Sequence, residues 1–161
     1  MSFDPVWSKS SRAIILGTWP SPKSRQQGFY YGHPQNRFWP LLARLSQSPV
    51  PTTIEEKKAL ILQNDLALWD VLESCTITGA ADSSIKNPVP VALAELVQKT
   101  SIEAVLCNGA KAFDLYSRFL QKETGIKAVK LPSTSPANAA FTMDKLYFCW
   151  QKQIAPFLTK K

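Results

Sequence analysis

The sequence predicts an α/β fold: a three-layer α/β/α domain built on a central, mainly parallel sheet of about four strands. Two observations carry this expectation. Short apolar runs recur along the chain, at Ala13-Ile14-Ile15-Leu16, Leu66 to Leu72, Ala104-Val105-Leu106-Cys107 and Ile126 to Leu131. Between them lie segments whose apolar residues repeat at helical spacing. A third observation locates the function. Three loops, 17–36, 108–111 and 132–138, follow predicted strands and are rich in Ser, Thr, Asn, Pro and Gly. Ligands of such sheets bind outside the carboxyl ends of the strands.

Residues 1–11 read as an irregular lead-in, and 12–17 as the first strand, ending at Gly17. The loop after it carries the only histidine and the aromatic residues Trp19, Phe29, Tyr30 and Tyr31. A helix over about 36–46 buries Phe38, Leu41, Leu42 and Leu45, with Trp39 beside them and Asn36 placed to cap it. Pro40 fits only its first turn. Ser48-Pro49-Val50-Pro51 is a break, and Thr53 with Glu56 has capping-box spacing for a helix to about 64. A second strand is expected over 66–72, and 73–88 as a long loop. Helix 89–100 carries Leu93, Leu96 and Val97. Strand 104–107 leads to Asn108-Gly109 and a helix to about 123, stopped by Gly125. Ile126 to Leu131 is the last strand, and Thr142 caps a helix striped with Met143, Leu146, Tyr147, Trp150 and Ile154.

At 161 residues the chain is expected to form a single domain, 1–161. No apolar run is long enough for a membrane span, and the first residues lack an apolar signal region. That predicts a cytoplasmic protein, or a nuclear one in a eukaryote. The three cysteines, Cys75, Cys107 and Cys149, are widely spaced and form no CxxC, so reduced thiols are expected rather than a zinc site. The net charge of +7 suits a polyanionic partner such as nucleic acid.

Several chemistries are set aside by what is missing. Asn108-Gly109-Ala110-Lys111 lacks the earlier glycine and the hydroxyl of a P-loop, and no GxGxxG is present. His33-Pro34-Gln35 does not supply a zinc deaminase motif, and there is no GxSxG elbow. What remains is a loop pocket of aromatic rings and amides with basic surroundings. Rings stack on bases, and Asn positions a base edge or a water. Hydrolysis of an N-glycosidic bond suits this inventory, because an oxocarbenium-like transition state needs only a placed water and fixed dipoles. No metal and no cofactor is expected.

The motifs resemble those of the uracil-DNA glycosylase superfamily. Gly17-Thr18-Trp19-Pro20-Ser21 stands at the first motif, and Gly28-Phe29-Tyr30-Tyr31-Gly32-His33-Pro34-Gln35-Asn36-Arg37-Phe38-Trp39 resembles the GF-x-aromatic-x-HPxNxFW signature that follows it. Leu131-Pro132-Ser133-Thr134-Ser135-Pro136-Ala137 resembles the second motif, the loop that enters the DNA groove. Asp82-Ser83-Ser84-Ile85 and Asn108-Gly109-Ala110-Lys111-Ala112 look like the hypoxanthine-DNA (deoxyinosine) branch, which is related to the mismatch-specific uracil enzymes. Uracil-cleaving relatives carry Asp or Asn one residue before the first-motif Pro, where this chain has Trp19. Trp cannot activate water.

The resemblance implies a monomeric repair glycosylase acting on DNA with deaminated bases, hypoxanthine first and uracil or xanthine as further substrates. It places catalysis on Asn36, which would position the attacking water, and stacking of the flipped base on Tyr31. Trp19, Phe29, Ser133 and Asn108 are the further base-binding candidates. Lys23, Arg25, Ser135, Pro136 and Ala137 are the DNA-binding candidates, with Pro136 and Ala137 as a small wedge. His33 and Asp82 stay open between structural and catalytic roles. Two alternatives are kept: a non-catalytic nucleic-acid-binding module that retains the pocket, and a hydrolase acting on free nucleosides.

Overall fold

The computed structural model describes residues 3–19, 22–77 and 85–158. Its centre is a sheet of four parallel strands in the order β2-β1-β5-β6: β1 (Ala13–Gly17), β2 (Leu66–Asp70), β5 (Ala104–Asn108) and β6 (Val129–Leu131). Every residue of β1 is buried, because helices cover both of its faces. Ala13 and Ile15 join a core with α2 (Phe38–Ser46), α3 (Ile54–Gln63) and α7 (Met143–Ile154). Ile14 and Leu16 join the opposite core with α4 (Leu93–Gln98) and α5 (Ala110–Phe119). The period-2 alternation of one strand thus feeds two hydrophobic layers, each fully buried Ile or Leu contributing roughly 1.5–3 kcal/mol.

Local chemistry sets the element ends. Thr53 and Glu56 form the expected capping box at the start of α3. Pro40 sits in the first turn of α2, where a missing N–H costs nothing. Thr142 accepts the Lys145 N–H at the start of α7. After α5 a short α6 (Gln121–Thr124) ends at Gly125, the expected stop.

Four expectations change. α2 begins at Phe38, two residues later than predicted, because residues 33–36 form a turn closed by Asn36 N–H to the His33 carbonyl. The predicted loop 73–88 contains an antiparallel pair, β3 (Leu72–Ile77) with β4 (Ile85–Pro90). Its register shifts between Leu72 and Ser74 and again before Thr76, so no clean in/out pattern is written in the residues. Pro88 and Pro90 lie in β4, one strand of a two-stranded sheet, where an edge tolerates proline. That leaves α4 starting only at Leu93. Finally, Pro22–Gln27, read as loop, forms the short helix α1.

Candidate active site

Parallel pairing brings Gly17, Asp70 and Asn108 to the carboxyl end of the sheet, because Gly17 stands opposite Asp70 and β5 ends at Asn108 beside Leu131. The loop after α1 passes over this end. Phe29 is 5% exposed and lies stacked over Trp39, with Tyr30 edge-on to it. Tyr30 also turns inward, its hydroxyl donating to the Phe3 and Asp4 carbonyls, while Trp39 Nε1 donates to the Tyr30 carbonyl. Phe29, expected at the base, is therefore a core residue that supports the loop.

Tyr31 breaks the run. Its φ is +53, a left-handed conformation that costs a bulky residue on the order of 1–3 kcal/mol. The twist stacks its ring on Phe38, centroids 4.2 Å apart, and sends its hydroxyl toward Gly17. The ring stays half-buried while the hydroxyl is enclosed, with no hydrogen bond of good geometry among the described residues.

Asn36, Thr134 and Asn108 form a chain of side-chain hydrogen bonds. The Phe38 N–H donates to Asn36 Oδ1 at 2.9 Å and the Thr134 hydroxyl donates to the same oxygen at 2.8 Å. A backbone N–H can only donate, so this atom is the amide oxygen and the opposite face of the carboxamide is the NH₂. No hydrogen bond engages that Nδ2 among the described residues. Thr134, 0% exposed, accepts from Asn108 Nδ2 at 3.1 Å and donates its own N–H to Asn108 Oδ1 at 3.0 Å. Asn108 thus braces the network rather than opening freely into a pocket. Asn36, placed by the sequence to cap α2, instead stands one residue before its N-cap, Arg37, because the turn over 33–36 delays the helix. Its oxygen closes that turn on the Phe38 N–H and also bonds to the distant loop.

The 132–138 loop is held in several ways. Trp150 Nε1 of α7 donates to the Pro132 carbonyl at 2.9 Å. Ser133 Oγ accepts the Ser135 N–H and Ser135 Oγ accepts the Ala137 N–H, each at 3.1 Å. Both serines do turn chemistry, and Pro136 and Ala137 sit at the loop's outer side, half-buried and exposed. Arg37, which sequence reasoning missed, points its guanidinium at the carbonyls of Thr134, Ser135, Asn138 and Phe141.

The remaining candidates are placed as follows. His33 Nδ1 accepts the Gln35 N–H at 3.0 Å, which makes it part of the turn before α2. The Trp19 ring lies 4.7 Å beneath the Arg25 guanidinium, and its Nε1 is buried without a partner among the described residues. Arg25 is exposed, at the last turn of α1. Lys23 belongs to the backbone of α1, its side chain outside what the structure describes, and Asp82 lies outside the described residues. Among those residues, no three His, Cys, Asp or Glu side chains gather as a metal site would require.

Asp70 is the second residue that sequence reasoning missed. It is 3% exposed, Oδ2 has no partner among the described residues, and burial pushes its carboxyl up to about 7. Burial also raises the Tyr31 hydroxyl far above the usual phenol range, with Asp70 adding to the effect and Asn108 opposing it. Only a glycine fits beside this pair. A Cβ on Gly17 would lie 2.5 Å from Asp70 Oδ1 and 2.8 Å from the Tyr31 hydroxyl. Gly17→Ala is expected to cost about 1–3 kcal/mol through overpacking, read as a lowered melting temperature; an unchanged melt would mean the two side chains yield freely.

The family model of the uracil DNA glycosylase superfamily matches residues 5–154. The chain belongs to this superfamily. A hypoxanthine DNA glycosylase of Methanosarcina acetivorans is 32% identical to it over 147 residues, spanning 89% of this chain and 90% of that protein. A second, from Methanosarcina barkeri, is 30% identical over 138 residues, spanning 84% and 86%. A candidate uracil DNA glycosylase of M. acetivorans, solved by NMR, superposes with a TM-score of 0.83 at 27% identity, covering 97% of this chain and 96% of that one. The four-strand parallel sheet flanked by helices is the architecture expected of the superfamily, and the two motif loops meet through Asn36 and Thr134.

Proposed function

We propose that this chain is a monomeric, monofunctional DNA glycosylase that excises hypoxanthine flipped out of DNA, with uracil or xanthine as lesser substrates. One observation carries the reading: the Asn36 carboxamide is oriented by two donors on its oxygen, which leaves its NH₂ as a fixed donor beside the motif loops. Such a donor can hold a water by one lone pair while the other attacks. The water oxygen bonds to C1′, the bond from C1′ to the base nitrogen breaks, and the water's proton goes by way of solvent to the departing base. A preorganised dipole suits this oxocarbenium-like step, since it requires no reorganisation when charge develops. Tyr31 supplies the stacking face and the 132–138 loop holds the duplex open, with Pro136 and Ala137 as a small wedge and Ser135 beside the backbone. Stacking at about 1–3 kcal/mol per base offsets much of the few kcal/mol needed for extrusion. Arg25 and Lys23 take phosphates, and Trp19 walls the pocket.

The relatives named as glycosylases support this reading over a binding module without chemistry. The test is a panel of duplexes carrying hypoxanthine, xanthine, uracil or a thymine mismatch, followed by alkaline cleavage of abasic sites. Hypoxanthine is expected to be released fastest. Cleavage of uracil alone overturns the substrate, and salt-dependent binding without any abasic product overturns the enzyme.

A further inference from the structure

Arg37 lies next to Asn36, yet it contacts a different part of the chain. Its Nη2 donates to the Ser135 carbonyl at 2.8 Å and to the Asn138 carbonyl at 3.1 Å. Nε donates to the Thr134 carbonyl at 3.4 Å, and Nη1 donates to the Phe141 carbonyl. The Arg37 backbone N–H adds a bond to the Thr134 carbonyl at 3.1 Å. One cation thus gathers four carbonyls from an eight-residue stretch of loop, 134–141. No carboxylate pairs with it among the described residues, where the only ion pairs are Arg12 with Glu103 and Arg44 with Asp144.

In a basic protein an arginine facing a nucleic-acid loop is first read as a phosphate ligand. The geometry here excludes that use. A guanidinium has five N–H donors in a rigid planar fork, and three of its nitrogens already serve the loop. What Arg37 does instead is turn the loop inside out electrically. Four partly negative carbonyl oxygens face inward onto a positive charge. The loop's own N–H groups close on Ser133, Ser135 and Asn138. The outer side is left to Pro136 and Ala137. Lysine could not do this, because a point charge has no fork to span carbonyls spread over the loop.

We propose that Arg37 is a positioning residue that fixes the 134–141 loop in its DNA-penetrating shape and locks it to the Asn36 carboxamide, so that holding the duplex open and placing the catalytic amide are one mechanical unit. The proposal rests on the glycosylase reading given above. Because Asn36 and Arg37 are neighbours and both grip Thr134, the loop cannot shift without pulling on the amide. A loop ordered before DNA arrives does not have to be ordered on binding, which lowers the cost of extrusion.

The test compares Arg37→Met and Arg37→Lys with wild type on two substrates: hypoxanthine in a duplex and hypoxanthine in a single-stranded oligonucleotide, where nothing has to be held open. Under single-turnover conditions Arg37→Met is expected to lose activity on both substrates, the single-strand loss reporting the shifted amide, and to lose at least tenfold more on the duplex, with Arg37→Lys between it and wild type. Merely weakening the fold would depress both substrates together, so an equal loss on both, or no loss, overturns the proposal. Hydrogen exchange is the second measurement and needs only the milder Arg37→Lys variant. Amides of 135–141 should exchange faster while those of β1 and α2 stay unchanged; unchanged loop exchange also overturns it. If wild type cleaves neither substrate, the glycosylase reading fails, and the exchange experiment still judges the clamp by itself.

Discussion

Asn36→Ala is expected to slow release of hypoxanthine from duplex DNA by on the order of 10²–10³-fold, the usual loss when a preorganised transition-state donor is removed. The change also removes the oxygen that accepts the Phe38 N–H and the Thr134 hydroxyl, so part of its effect is structural, about 1 kcal/mol for a helix-terminus bond. Asn36→Asp separates the two. It keeps an oxygen for both donors but replaces the NH₂ by a second acceptor. The aspartate variant should melt close to wild type and still lose excision, measured by single-turnover cleavage of a labelled oligonucleotide. If it excises at near wild-type rate, Nδ2 is not the working group. Recovered activity in Asn36→Asp with none in Asn36→Ala would point to a general base instead.

Asp70→Asn acts on stability, and its effect depends on pH. The native carboxyl is pushed up to about 7, above the ordinary value of about 3.9 for the unfolded chain. Between those two values the native state holds the proton more tightly than the unfolded state. Unfolding therefore releases a proton, and stability falls as pH rises through that window. Above about pH 7 the full cost of a buried carboxylate is present, on the order of a few kcal/mol by linkage. Asparagine has nothing to ionise. The variant should gain stability over wild type at pH 8, and the gain should shrink toward zero near pH 4. Urea titrations over that range measure it. Parallel pH profiles for the two proteins would show that Asp70 finds a partner or a water in solution. The gain in stability need not extend to catalysis, since Asp70 faces the Tyr31 hydroxyl across Gly17.

The sheet was legible because burial on both faces writes itself as short apolar runs, and β1, β2, β5 and β6 lie on those runs, β1 and β5 reaching one residue further to Gly17 and Asn108. The capping box, Pro40 and Gly125 were legible because each has a local cause. The β3–β4 pair was not, since its strands carry polar residues without steady alternation and its register slips twice. Helix α1, with the sequence PKSRQQ, has no apolar face to give a period. At the site, Asn36 and Tyr31 could be named from their motif, but the partners that orient them could not. Thr134 is 98 residues from Asn36, and Arg37 reaches carbonyls 97 to 104 residues away. Asp70 hid inside an apolar run, and only the pairing of β2 with β1 shows that it meets Gly17. Phe29 shows the opposite error: a motif aromatic whose ring faces the core.

The bond from Trp150 to the Pro132 carbonyl has a consequence for the order of events during synthesis. A ribosome delivers α7 after every strand of the sheet and after both motif loops, and domains assemble as their parts emerge. Until α7 docks, the 132–138 loop lacks its strut and Phe38 lacks the indole packed edge-on against it. A growing chain can hold all of its motif residues and still have no finished site. The finished shape of the 132–138 loop therefore waits for α7 to dock.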